Sequence, residues 1–206
     1  FPTWHDTCNV FVVDEQLQVD VTNQRLLEGG QKLICVRDCK DSNYSEARFL
    51  KQPFTAVRLT RLFSCMKQLM TNNYAAACMA LGGAVMSLGY SQITVKMGCC
   101  PVVLLTGDTE TGKSTVLRCC MGLFGDRNIK DYTGKKALQS STYNDMPFAW
   151  DDPTSPSDVA FIVQALFNGA GRDTIFQSGV PRRPPIITAN FSCSSDKRYI
   201  FIFIES

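Results

Sequence analysis

Three kinds of hydrophobic spacing succeed one another along the chain. In residues 1–55 the apolar positions come in short β-prone runs, Val10-Phe-Val-Val13, Gln18-Val-Asp-Val21 and Gln31-Lys-Leu-Ile-Cys-Val36, the last two parted by the turn residues Glu28-Gly-Gly30. They predict a small β-rich or mixed segment, the tail of an upstream module. From 56 to 90 the spacing becomes helical. One helix is expected from Ala56 to Met70 and a second from Tyr74 to Leu88, broken at Thr71-Asn-Asn73, where Asn73 is available as a cap. Tyr74, Cys78, Leu81, Val85 and Leu88 are expected on the buried face of the second helix, and Gly82-Gly83 lets it approach a neighbour closely.

From Pro101 onward strand and helix patterns alternate. Residues 102–106 read as a strand, and 113–124 as a helix with Val116, Leu117, Cys120, Met121 and Phe124 inward and Gly125 as its stop. A weaker strand is expected within 128–132, and the apolar run Met146-Pro-Phe-Ala-Trp150 ends on Asp151-Asp152-Pro153. Ser155-Pro156-Ser157-Asp158 is a helix start, with Ser155 as cap and Asp158 reaching back. The helix it opens carries Val159, Ile162, Val163, Leu166 and Phe167 on one face up to Gly169. A turn-rich stretch over 169–185 leads to strands at 186–189 and 199–204. This alternation predicts an α/β domain over 56–206 with a mainly parallel sheet covered by helices.

Composition narrows the picture in three places. A 206-residue chain that is 45% hydrophobic and 19% charged suits one complete core, and a net charge of +2 exerts no global pull on nucleic acid or anionic membrane. Any basic surface must be local. Residues 68–95 carry no charge, long enough for a bilayer span, but Ser87, Gly89, Ser91 and Gln92 interrupt it and the helical spacing favours a buried helix. No membrane association is expected. The ten cysteines are scattered, with Cys99-Cys100 and Cys119-Cys120 adjacent. A zinc site would need Cys35-x-x-x-Cys39 with distant ligands, yet His5 is the sole histidine and no Cys-x-x-Cys occurs. Reduced, buried thiols in an intracellular compartment, cytoplasm or nucleus, are the expectation. The chain opens on Phe1 and stops inside Tyr199-Ile-Phe-Ile-Phe-Ile204, so it is expected to be a piece of a longer protein, cut at the C-terminus of the domain.

The chemistry concentrates in Gly107, Asp108, Thr109, Glu110, Thr111, Gly112, Lys113, Ser114 and Thr115, placed between a strand and a helix. A loop that binds polyphosphate must aim several backbone N–H groups at one point, and glycines clear that point of side chains. The helix N-terminus favours the anion, Lys113 offers charge to the β- and γ-phosphates, and the Ser114 hydroxyl is placed to ligate Mg²⁺. The plain alternative is a lysine-bearing turn. Hydrolysis also needs a carboxylate for the metal and a group to orient water, and Asp151 and Asp152 stand at a strand end about 40 residues beyond Lys113. Asp-Asp-Pro would otherwise be only a turn. Asn190 falls where the next strand should emerge beside the γ-phosphate; a strand-end turn residue is the plain alternative.

The order of glycine loop, acidic strand end, asparagine-tipped strand and arginine ahead of a last strand is similar to the additional-strand P-loop ATPases, the group holding AAA+ proteins and superfamily 3 helicases. Within it, "PVVLLTGDTETGKSTVLRCCMGLFG" and "FAWDDP" resemble helicase-like ATPases of mobile-element and viral replication proteins and of uncharacterised animal proteins. The resemblance covers residues 74–206. It implies a three-layer α/β/α P-loop NTPase sandwich with strand order 5-1-4-3-2, Mg-ATP as ligand, ATP hydrolysis and a homo-oligomeric ring. It also implies Asp151 as the metal-side acid, Asn190 as a sensor and Arg198 as a finger onto a neighbour's γ-phosphate. One departure stands out: the family usually has Glu where this chain has Asp152, and a side chain one methylene shorter implies slow or absent hydrolysis.

Residues 169–198 hold Arg172, Arg182, Arg183, Lys197 and Arg198 against Asp173 and Asp196. A hairpin there would carry Arg172 and Phe176, with Arg182 and Arg183 behind them, onto single-stranded nucleic acid by charge and stacking. A solvated loop stiffened by proline fits the same residues. Two function classes follow: a helicase-like motor on nucleic acid, or an ATP-dependent switch or scaffold that assembles partners without translocation. A small-molecule kinase is less suited, since no arginine-rich lid stands outside 169–198.

Overall fold

The computed structural model describes residues 56–124, 137, 141, 146–169 and 181–190 in full, and further strands at 3–5, 10–12, 17–20, 25–28, 129–130 and 199–203 by their backbone. The N-terminal strands β1 (Thr3–His5), β2 (Val10–Val12), β3 (Leu17–Asp20) and β4 (Arg25–Glu28) form an antiparallel meander in sequence order. β2 and β3 lie in two of the expected β-prone runs. β4 lies in a stretch where no strand is expected, and its register pairs Leu17 with Glu28, so Glu28 ends a strand. The third run, 31–36, lies outside the described residues.

The helical pair is placed as expected. α1 (Ala56–Met70) and α2 (Tyr74–Leu88) flank a single 3₁₀ turn, Thr71–Asn73. The buried stripe of α2 differs from the expected one: it is Ala77, Ala80, Leu81, Gly83, Ala84 and Ser87, while Val85 is 51% exposed. Period alone could not phase this helix, because it is apolar all round and no charge marks its outer face. The small residues face inward because the approach is close. A Cβ on Gly83 would stand 2.5 Å from Val103 Cγ2, inside any permitted contact, whereas Gly82 has open space. A short helix absent from the sequence reading, α3 (Tyr90–Met97), follows after a 78° bend at Gly89. It buries Tyr90, whose phenol donates to the carbonyl of Leu166. No single helix among the described residues is long and apolar enough to cross a membrane.

The second half is an α/β unit. Strands β5 (Val102–Thr106), β6 (Ile129–Lys130), β7 (Phe148–Trp150), β8 (Pro185–Ala189) and β9 (Tyr199–Phe203) alternate with α4 (Lys113–Leu123) and α5 (Pro156–Phe167). All pairings in this sheet are parallel, in the order β6-β7-β8-β5-β9. Counted by appearance within the sheet, that is 5-1-4-3-2 read from β9. Period-two alternation sends its residues to two cores. Val103, Leu105, Ala149 and Ile186 pack with α1, α2 and α4, while Val102, Leu104, Phe148, Trp150, Ile187 and Ala189 pack with α3 and α5. Helices therefore cover both faces, as a buried parallel sheet requires.

The buried face of α4 and the start of α5 follow their sequence signals. Val116, Leu117, Cys120, Met121 and Phe124 are buried along α4, and Gly125 lies outside the described residues. At α5 the Ser155 hydroxyl accepts the Asp158 backbone N–H at 3.2 Å, with Pro156 in the first turn. Val159, Ile162, Val163 and Leu166 are fully buried, and Phe167 is half-buried.

Candidate functional site

Register brings the chemistry to one edge. β5 pairs Thr106 with Ala189 of β8, and β7 pairs Trp150 with Ile187. Continuing each ladder by one residue sets Gly107 beside Asn190 and Asp151 beside Thr188. The carboxyl ends of three parallel strands thus open together, the usual place for a ligand in such sheets. The cleft there has a volume of about 450 Å³ and is lined by residues 109–115 of the loop with Asp151, Asp152, Thr188 and Asn190.

The loop between β5 and α4 has the backbone that its glycines permit. Gly112, immediately before the helix, sits at φ 95°, and Gly107 at φ 153°. Glu110 takes a left-handed φ of 66° without glycine's freedom, which marks local strain in the turn. The Thr111 hydroxyl closes the turn on the Asp108 carbonyl at 2.9 Å. Lys113, 7% exposed, folds back so that its ammonium donates to the carbonyls of Gly107, at 2.9 Å, and Asp108. Removing an ammonium from water costs several kcal/mol even after relaxation, and each hydrogen bond to a charged group returns about 1.5–3 kcal/mol. Two carbonyls return an amount of the same order, and an anion delivered to this loop meets a cation already in position.

The acidic end is assembled from side chains. Asp151 Oδ1 accepts the Ser114 hydroxyl at 3.0 Å and also the Thr188 hydroxyl. Asp152 leaves the strand at φ 47°, its backbone N–H donates to Thr188 Oγ1 at 2.9 Å, and its exposed carboxylate accepts the Asn190 amide at 2.8 Å. Four of the residues singled out in the sequence, Ser114, Asp151, Asp152 and Asn190, are therefore in one network. Ser114 and Asp151 offer hard oxygen ligands side by side, a donor set that fits Mg²⁺ completed by phosphate and water. No cluster of three or more His, Cys, Asp or Glu side chains occurs among the described residues.

One residue escaped the sequence reading and two are corrected. Thr188 is the polar member of the buried strand Pro-Ile-Ile-Thr-Ala, and that break in an apolar run was its signal. Asn73 makes no side-chain cap on α2, contrary to expectation. Its amide turns to the Thr111 carbonyl at 3.5 Å, linking the helical pair to the loop. Arg183 is corrected as a nucleic-acid candidate: it is 9% exposed, with its guanidinium 4.7 Å above the Phe148 ring. Its backbone and that of Arg182 donate to the Ser141 carbonyl, which draws Arg183 onto the sheet, while Arg182 stays half-buried. Arg172, Phe176 and Arg198 lie outside the described residues.

The cysteines next to the site are free thiols. Burial pushes Cys120 up to about 12 and Cys100 up to about 11, and raises Cys119 as well. Such thiols pack as small hydrophobes. Cys35, Cys39 and His5 offer no described side chain to a zinc site. Compared with family models, with curated proteins and with solved structures, the chain matches none.

Proposed function

We propose that this chain is the core of a Mg-ATP-binding P-loop ATPase of the additional-strand type, a three-layer sandwich similar in design to AAA+ and superfamily 3 helicase ATPases. One observation carries the reading. The glycine-loop serine, Ser114, meets the carboxylate of Asp151 at 3.0 Å across a sheet in which β8 is inserted between the loop strand and the acid strand. An ordinary lysine-bearing turn has no reason to make that contact, and the 5-1-4-3-2 order supports the same reading.

In this reading the loop amides and Lys113 hold the β- and γ-phosphates, and Ser114 with Asp151 hold Mg²⁺, which supplies positive charge to the phosphate oxygens. Asp152 orients the attacking water and takes its proton as the terminal P–O bond breaks to give ADP and phosphate. Asn190 fixes the Asp152 carboxylate and senses the γ-phosphate. Arg198 of an adjoining subunit in a ring completes the charge. Arg172, Phe176 and Arg182 are the proposed contacts for single-stranded nucleic acid in the motor form of this function.

A switch or scaffold without translocation is favoured by a different detail. The Asp152 carboxylate is short by one methylene relative to Glu, and one of its oxygens is already engaged by Asn190. Calorimetry with ATP, with and without Mg²⁺ or EDTA, tests binding; phosphate release with and without single-stranded DNA or RNA separates motor from switch. Binding indifferent to Mg²⁺ would count against the ATPase. Unstimulated hydrolysis in an assembled oligomer would leave the switch.

A further inference from the structure

Thr188 is 1% exposed and its hydroxyl joins both acidic residues, donating to Asp151 Oδ1 and accepting the backbone N–H of Asp152 at 2.9 Å. The ladder between β7 and β8 puts it there: Trp150 faces Ile187, so the next residue on each strand is Asp151 and Thr188. We propose that Thr188 is a positioning residue that sets the metal-side and water-side carboxylates relative to each other, a role that rests on the ATPase reading above.

The argument is one of geometry. Ser114 and Thr188 approach the same oxygen of Asp151, so the carboxylate is fixed from two sides and its other oxygen is left to the cleft. Asp152 adopts a left-handed backbone, uncommon among non-glycine residues though more accessible to Asp than to most. Its N–H bond to Thr188 holds it there, and that turn aims its side chain at the Asn190 amide. At 1% exposure the hydroxyl is largely shielded from solvent. Moving the Thr188 oxygen therefore moves both acids, although Thr188 touches neither phosphate nor water itself.

Thr188→Val keeps the shape and removes the hydroxyl; Thr188→Ser keeps the hydroxyl and removes a methyl. In the nucleotide-free full chain, hydrogen exchange at the Asp152 amide should accelerate in the valine variant and stay slow in the serine variant. With Mg-ATP, valine should lower turnover by about 10–100-fold, the usual effect of losing an outer partner of a metal ligand. Affinity for ATP measured in EDTA should not change, and serine should restore turnover. Turnover retained in the valine variant, an Asp152 amide as protected as in wild type, or a serine variant as impaired as valine would each overturn the role. A wild-type chain that binds no Mg-ATP would refute the ATPase reading itself, and this positioning role with it, before any variant is made.

Discussion

The two halves of the site are built on opposite principles. The phosphate loop is local: nine consecutive residues, with Lys113 bonded to carbonyls five and six positions back and Thr111 to one three back. The acidic end is non-local, since Ser114, Thr188 and Asn190 reach Asp151 and Asp152 across 36 to 38 positions of sequence. The loop needs only β5 and α4 to exist. The acidic end exists only once β8 has entered the sheet between β5 and β7. On the proposed reading, binding is lodged in a mostly local turn and turnover in a tertiary assembly.

Substitutions should separate the halves. The largest effect is expected from Asp152→Asn, which removes the proposed proton acceptor: turnover measured by phosphate release should fall by about 10²–10⁴-fold with Mg-ATP affinity kept. Asp151→Asn should in contrast weaken binding only when Mg²⁺ is present, by about 10–100-fold. Equal hydrolysis in both variants and wild type would reduce the pair to a turn. Next comes Lys113→Ala. Losing a charge-assisted contact to phosphate should weaken ATP binding by about 100-fold in calorimetry, with circular dichroism unchanged.

Gly83→Ala probes what the halves share. Its new methyl meets Val103 at 2.5 Å, on the strand that feeds the loop, and should cost about 1–3 kcal/mol in denaturant unfolding. The smallest effect concerns pH. Cys100 and Cys120 are held above the free thiol value of 9.0 by burial, so between 9 and their folded values the unfolded chain loses protons that the folded chain keeps. Stability should therefore be level below pH 9 and decline above it, seen as a falling Tm, with the decline reduced in Cys120→Ala relative to its own value at pH 8.

Much of this was legible because the signals are local. Ala56–Met70, Tyr74–Leu88 and Val102–Thr106 carry their own periodicity and breaks, and the glycine loop its own motif. The phase of α2 was not legible, because an uncharged helix gives no polar side to set against the core. α3 was missed for its eight residues and its β-branched Ile93, Thr94 and Val95. Asn73 has the residue type of a cap, but its side chain is turned so that its amide donates to the Thr111 carbonyl, and its oxygen caps no helix N–H. Thr188 could be noticed in sequence as a polar residue in an apolar strand, yet its partners follow only from the register of β8 against β7.

The bonds through Thr188 also have a direction. A backbone N–H can only donate and an ionised carboxylate can only accept, so the hydroxyl between Asp152 and Asp151 has a single permitted orientation. A surface threonine turns its hydrogen to suit its neighbours; this rotor is locked. The dipoles consequently align head to tail from the Asp152 amide to the Asp151 carboxylate, and each bond polarises the next. The short chain is a fixed electrical polarity laid across the strand end.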